Sequence, residues 1–291
     1  MPELPEAETV TRQLRPAITG KIISSVWFSK KSANLLLTPR VTLSKELPKR
    51  KIVKVGRSGK KILLYLDSKQ ILVFGLGMTG NLFLRHSRES GNPEGLDARL
   101  RGHDGRDDTH IHFILSFNDK TQSLCFEDVR RFGEIRLLPI CGEGELRRIF
   151  NQGPEPFRLN VQEFLAIIKT SRRPLKSLLL DQTKIAGLGN IYADEALFCA
   201  GLHPLKKTNR VDIQEAARLL KAINQTLVSA IKHHGSSIAD YRTPWGKKGG
   251  FQNFHKAYGR AGKPCRDCGQ TIKRIVLSGR STCYCPKCQV R

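Results

Sequence analysis

A proline follows the initiator methionine, and a glutamate follows the proline. The small Pro2 side chain favours removal of Met1, which would leave a free secondary amine at the new terminus. An α-amino group titrates at about 7.7–8.0 and a lysine at about 10.4, so at pH 7 roughly a tenth of the former is neutral. That makes Pro2 a candidate nucleophile. Glu3, the next residue, puts a carboxyl where it can exchange protons with whatever the amine attacks. Pro5 in a first helical turn, with Glu6 and Glu8 beside it, reads as a helix start that would hold the terminus rigidly.

The other end of the chain carries Cys265-x-x-Cys268, sixteen residues, and Cys285-x-x-Cys288. Each pair fits a knuckle that turns two thiolates onto one metal, and two knuckles on a β-hairpin close a tetrahedral Zn2+ site. Four thiolates leave no open position, so one structural zinc is expected rather than a hydrolytic one. Lys273, Arg274 and Arg280 lie between the knuckles, a distribution suited to gripping phosphates. Gly187 and Gly189 precede a helix, whose N-terminal N–H groups are expected to be free for a phosphate. Such turns are common without function, and Lys60, after its Ser-Gly turn, reads equally as a solvated lysine.

These residues need elements to hold them. A helix is expected over 6–14. Strands follow at 21–29, 51–55, 61–67, 70–74, 81–85, 110–117, 123–127 and 133–138, separated by Gly, Asn and Asp turns. Short strands at this spacing give a β-sandwich or flattened barrel. Between 85 and 110 almost nothing is apolar, which reads as an exposed insert; His103, Asp104, Asp107 and Asp108 there read as solvated charge rather than metal ligands. Apolar residues then recur at helical spacing over 145–150, 161–169, 174–181, 190–200 and 212–234. Residues 153–156 read as the linker joining sheet and helices, and 234–262 as a long mobile loop near a site.

The chain has 291 residues, enough for two domains with real cores, and a formal net charge of +24 from 50 Lys+Arg against 26 Asp+Glu. An excess spread this widely implies a polyanionic partner and a folded basic surface. No basic amphipathic helix or long apolar run points to a membrane. The acidic N-terminus lacks an apolar leader, so a cytoplasmic, reducing compartment is expected, where eight cysteines serve as ligands or thiols rather than disulfides.

Taken together the motifs resemble bacterial formamidopyrimidine-DNA glycosylases from one end of the chain to the other, interrupted only over 86–109. The matching pieces are Pro-Glu-Leu-Pro-Glu at 2–6, Lys60 after its turn, Leu-Gly-Met-Thr-Gly at 76–80, Arg-Arg-Phe-Gly at 130–133, Gly-Pro-Glu-Pro at 153–156, the 181–195 segment and the four cysteines. Leu4 stands where the related endonuclease VIII branch typically has glycine. The resemblance implies an α+β chain: an N-terminal catalytic β-sandwich domain with an N-terminal helix (1–140), a helical helix-two-turns-helix domain with a lesion-recognition loop (141–262), and a zinc-finger β-hairpin (263–291). It implies a monomeric bifunctional DNA glycosylase and apurinic/apyrimidinic lyase acting on double-stranded DNA with damaged bases, oxidised purines above all. Excision of oxidised pyrimidines and catalytically silent lesion binding are the rival readings.

The resemblance further implies that Pro2 attacks the anomeric carbon, that Glu3 is general acid and base, and that Lys60 grips a phosphate. Asn190 and Arg280 would clamp the backbone. Met78, Arg130 and Phe132 would fill the stack vacated by a flipped base. By residue type alone, Met78 and Phe132 read as core and Arg130 as a solvated charge. Tyr241 and the Gly249-Gly250 pair would lie over the flipped base. Two departures stand out. Gly75 replaces a histidine found in many members, which would remove a phosphate contact, and Cys283 replaces an aromatic beside Cys285.

Overall fold

A computed structural model describes residues 2–86 and 108–290. Most of the 86–109 stretch, with His103, Asp104 and Asp107, lies outside the described residues. The chain forms two compact units. One comprises Met1–Pro2, Glu6–Cys141 and Ser237–Gly249, and the other Glu3–Pro5, Gly142–Ser236 and Gly250–Arg291.

The first unit is built on two four-stranded antiparallel sheets, in the orders β1-β6-β7-β5 and β2-β3-β4-β8. Their strands are β1 Ile23–Phe28, β2 Ile52–Ser58, β3 Lys61–Leu66, β4 Gln70–Gly75, β5 Gly80–His86, β6 Ile111–Phe117, β7 Gln122–Asp128 and β8 Glu134–Pro139. Alternate apolar residues from both sheets share one core, including Ile62 and Leu64 of β3, Phe74 of β4, Phe113 and Leu115 of β6 and Phe126 of β7. The Phe74 ring meets Phe113 edge-on across that core at 5.6 Å.

Helix α1 runs over Leu4–Ile18, longer than the 6–14 expected, because Val10, Leu14 and Ile18 repeat every four residues and bury in the same core. That burial outweighs the hydrogen bond lost at Pro16. Helix α2, Arg40–Glu46, is too short for periodicity to reveal; buried Leu43 and Leu47 and the cation of Arg40 over Phe28 at 5.3 Å fix it.

The second unit contains α3 Glu143–Ile149, α4 Val161–Lys169, α5 Leu175–Leu179, α6 Asn190–Cys199 and α7 Ile213–Lys232, with the hairpin β9 Lys273–Leu277 and β10 Arg280–Tyr284. Capping boxes start two of these helices, Asn160 with Glu163 for α4 and Asp212 with Glu215 for α7. Leu219, Ile223 and Leu227 of α7 pack with Leu197 of α6 and Phe164 of α4 in one core, which also takes in Leu4.

Hydrogen bonds seat the connecting segments. Residues 153–156, read as the linker, are docked on the helical unit: Gly153 N–H donates to the Gln182 carbonyl at 2.8 Å, Ala186 N–H donates to the Pro154 carbonyl at 2.9 Å, and a Cβ at Gly153 would stand 2.3 Å from the Lys184 oxygen. The hairpin lies within the helical unit. Residues 237–249 lie in the sheet unit, where β5 is an edge strand whose polar groups need partners. Asn81 donates to the Asp240 carbonyl at 3.1 Å and accepts from Arg242 N–H, while Leu84 N–H donates to the Pro244 carbonyl at 3.0 Å.

Candidate active site

Pro2 is buried in the sheet unit. Glu3, 1% exposed, is fixed within the helical unit by backbone donors at the start of α6: Gly189 N–H at 2.6 Å and Ile191 N–H at 2.9 Å, with Tyr192 N–H at 3.5 Å. The helix terminus therefore neutralises a carboxylate of the chain itself, and those donors are not free for a phosphate as the glycine spacing suggested. The glycines serve that seating. A Cβ at Gly189 would lie 2.4 Å from the Glu3 carboxyl carbon, and one at Gly187, where φ is +96°, 2.5 Å from Leu4 Cδ1. Leu4 N–H donates to the Gly187 carbonyl at 3.0 Å, completing the clasp.

Lys60 occupies a two-residue turn between β2 and β3, closed by the Ser58–Lys61 pair, with Gly59 supplying φ +56° at the first central position. Glu8 of α1 orients this turn through Arg57. Arg57 Nε donates to Glu8 at 2.8 Å, and its Nη1 donates to the Gly59 carbonyl at 2.7 Å. Partial burial pushes the Glu8 carboxyl up, but the guanidinium groups of Arg57 and Arg12 outweigh it and the net shift is downward, so Glu8 stays anionic.

Met78, Arg130 and Phe132 come together from two separate turns. The Arg130 guanidinium lies 4.7 Å from the Phe132 ring centroid and donates from Nη1 to Met78 Sδ at 4.0 Å. Phe132 is 58% exposed, so it is not the core residue that its type alone suggested. Buried Asp128 fixes both turns, accepting from Thr79 Oγ1 and, at 2.7 Å, from Gly133 N–H. A Cβ at Gly77 would come within 2.5 Å of the Phe132 carbonyl oxygen, so that glycine permits the approach.

Asn190 and the hairpin bearing Arg280 are also brought together. Asn190 Nδ2 donates to the Ser281 carbonyl at 3.0 Å, beside exposed Arg280. Beneath them lies a pair that periodicity could not reveal. Lys176, fully buried, contacts Asp194 at 2.6 Å and donates to Thr282 Oγ1 at 2.8 Å and the Ser281 carbonyl at 3.1 Å. Asp194 also accepts from Cys283 N–H at 3.0 Å. Burial pushes the Asp194 carboxyl up to about 6 against the pull of Lys176, and pushes the lysine down.

Cys265, Cys268, Cys285 and Cys288 gather with all four sulfurs within 4.8 Å of one another. The Cys265–Cys288 and Cys268–Cys285 sulfurs lie 3.9 and 3.5 Å apart, close to the ~3.8 Å edge of a tetrahedron with zinc–sulfur bonds of about 2.3 Å. The Cys288 thiol is pushed far up, first by its hydrogen bond with Cys268 and then by burial. Cys283 is buried with Phe198, Ala257 and Ile272, filling the small core of the finger.

Tyr241 is 6% exposed and packs in the sheet core. Burial, with the Glu6 carboxylate nearby, pushes its hydroxyl pKa upward. Gly249 and Gly250 fall in different units: Gly249 N–H donates to Ser237 Oγ at 2.8 Å, and Gly250 N–H to the His233 carbonyl at 2.8 Å. At Gly75 a Cβ would approach Glu134 Cγ at 2.6 Å, so the space above it is filled by Glu134, which pairs with Lys61.

Residues 1–135 match the formamidopyrimidine-DNA glycosylase N-terminal domain, residues 152–242 its H2TH domain, and residues 262–290 the zinc finger found in FPG and IleRS. The chain is 40% identical to a Solibacter usitatus protein named formamidopyrimidine-DNA glycosylase, covering 100% of both. It is 40% identical to one from Desulforamulus reducens, covering 99% of each. A Lactococcus lactis FPG mutant solved in complex with Fapy-dG containing DNA superposes with a TM-score of 0.85 at 33% identity over 100% of both chains. The MutM (FPG) protein of Thermus thermophilus gives 0.82 at 37% identity, over 99% of this chain and 98% of that one. The finger's four clustered cysteines fit one structural zinc. With the three domain matches in order along a single chain and relatives alike over their full length, this protein belongs to the formamidopyrimidine-DNA glycosylase family.

Proposed function

We propose that the chain is a bifunctional DNA glycosylase and apurinic/apyrimidinic lyase that removes oxidised purines, formamidopyrimidines and 8-oxoguanine, from double-stranded DNA. It works as a monomer, in the cytoplasm, on nucleoid DNA. The observation that carries the reading is the seating of Glu3: a carboxylate held by backbone N–H groups at a helix start, one residue from the candidate nucleophile. Once Met1 is removed, the Pro2 nitrogen attacks C1′ of the damaged nucleotide. The C1′–base bond breaks and the base leaves with a proton delivered through Glu3. Loss of the sugar-ring C–O bond leaves an iminium between Pro2 and C1′. That cation acidifies the neighbouring C–H, and β- then δ-elimination release the two phosphates.

The other groups position the strand. Lys60, Asn190 and Arg280 grip phosphates, and Met78, Arg130 and Phe132 occupy the space of the extruded base. Cys265, Cys268, Cys285 and Cys288 would hold one structural zinc, which when bound would tie the two knuckles together so that the hairpin keeps Arg280 presented.

Borohydride added during turnover on 8-oxoguanine duplex should fix protein covalently to DNA, with the link mapping to residue 2. Glu3→Gln should bind the duplex while base excision falls by about 2 kcal/mol or more in barrier, the scale of general acid-base help. A link mapping to Lys60, or trapping that persists with Met1 retained, overturns the assignment.

A further inference from the structure

The backbone donor closest to Glu3 is itself held by one side chain from the loop ahead of α6. Half-buried Gln182 donates from Nε2 to the Leu188 carbonyl at 2.6 Å and to the Leu180 carbonyl at 3.1 Å, and its Oε1 accepts from Gly187 N–H at 3.0 Å. The Leu188 carbonyl and Gly189 N–H are two ends of one peptide group. That group is planar and trans, so fixing its oxygen fixes the direction of its N–H, the donor 2.6 Å from Glu3. A hydrogen bond accepted at the carbonyl also polarises the peptide and strengthens its N–H as a donor. Gly187 is braced at its N–H by the same side chain, while its carbonyl accepts from Leu4 N–H at 3.0 Å. Leu188 stands between two glycines, whose backbone freedom leaves the loop without a torsional preference of its own. One amide supplies the constraint that the glycines lack.

We propose that Gln182 is a positioning residue for Glu3: its amide holds the Leu188–Gly189 peptide in the orientation that seats the carboxylate, and through that seat it sets the rate of base excision. This rests on the proton-transfer role given to Glu3 above. General acid catalysis needs the carboxyl within hydrogen-bond reach of the group it protonates, so a carboxyl that drifts from its seat loses rate. Duplex affinity comes from phosphate contacts made by other residues, so it is left in place. Gln182 therefore acts on the chemical step and not on binding.

Gln182→Met keeps the length of the side chain and removes its donor and its acceptor. In single-turnover reactions on an 8-oxoguanine duplex it should excise the base about tenfold more slowly, with the dissociation constant by anisotropy within about twofold of the parent. In a Glu3→Gln background the same substitution should cost less than about twofold, because the carboxyl that it positions is gone. A rate loss that multiplies with that of Glu3→Gln, or that comes with an equal loss of affinity, marks a purely structural role and overturns the proposal. Gln182→Glu is the second variant: it keeps the acceptor for Gly187 and, ionised at about pH 8, has no proton to give the Leu188 carbonyl. It should be slowed comparably, and excision at the parent rate overturns the proposal even where Gln182→Met fails to fold. If Glu3→Gln excises as fast as the parent, the role of Glu3 falls and the proposal with it. If Glu3→Gln is slow while both Gln182 variants match the parent, the positioning role alone falls and the reading of Glu3 stands.

Discussion

Single residues in the helical unit are held by donors far away in sequence, and His255 shows what this does to a titratable group. It is 5% exposed, shares a hydrogen bond between its Nε2 and Ser236 Oγ at 3.0 Å, and Ser236 in turn is 3.3 Å from the Tyr192 hydroxyl. Burial first and the Arg266 charge second push its pKa down to about 4. The folded protein thus keeps His255 neutral where the unfolded chain, titrating near 6.5, takes up a proton. Its contribution is complete above about pH 6.5 and is lost as pH falls toward 4, by up to about 3 kcal/mol. The carboxyl of Asp194, pushed up to about 6, acts in the opposite sense, so the informative quantity is a difference between variants. His255→Leu should unfold with a shallower loss of stability between pH 6.5 and 4 than the parent. Parallel denaturation profiles for the two proteins would contradict this.

The elements meet through polar groups that have no sequence period, and the hairpin is the clearest case. Strands β9 and β10 are joined by Ser278 and Gly279, both at positive φ, so the turn twists with the strands and brings Arg280 to its end. The two strands cannot bury enough to stand alone. They are held by the zinc knuckles and by Lys176 and Asp194 beneath. Lys176→Met leaves Asp194 buried without its counter-charge and should cost about 3–5 kcal/mol in global unfolding, with loss of duplex affinity. Adding Asp194→Leu should restore most of that stability, since an apolar pair replaces an ionic one. A double variant as unstable as the single would show that the pair supplies more than charge compensation.

At the scale of the whole molecule, the net charge of +24 dictates how it meets a polyanion such as DNA. None of the described helices is long and apolar enough to cross a membrane. If about six phosphates are neutralised, log affinity should fall against log salt with a slope near −5. Arg280→Ala should weaken all duplexes alike and flatten that slope by about one. A slope that is flat in the parent, measured by anisotropy across a salt series, would remove electrostatics as the main source of binding.

The sequence by itself marked the candidate nucleophile and the metal-binding cysteines at its two ends, and determined the kinds of element between them. A proline beside a glutamate, two Cys-x-x-Cys pairs, alternation in the strands and four-residue spacing in the helices are all local patterns, and local patterns survive in one dimension. Tertiary structure decided everything that depends on pairing across the chain. It gave the donors at the start of α6 to Glu3 rather than to a phosphate. It buried Tyr241 and docked residues 153–156. It gathered Met78, Arg130 and Phe132 around Asp128, and joined Lys176 to Asp194 under the hairpin. The physical reason is that a hydrogen-bonding group must find a partner once it leaves water, and which partner it finds is set by the packing of distant elements rather than by its neighbours in sequence.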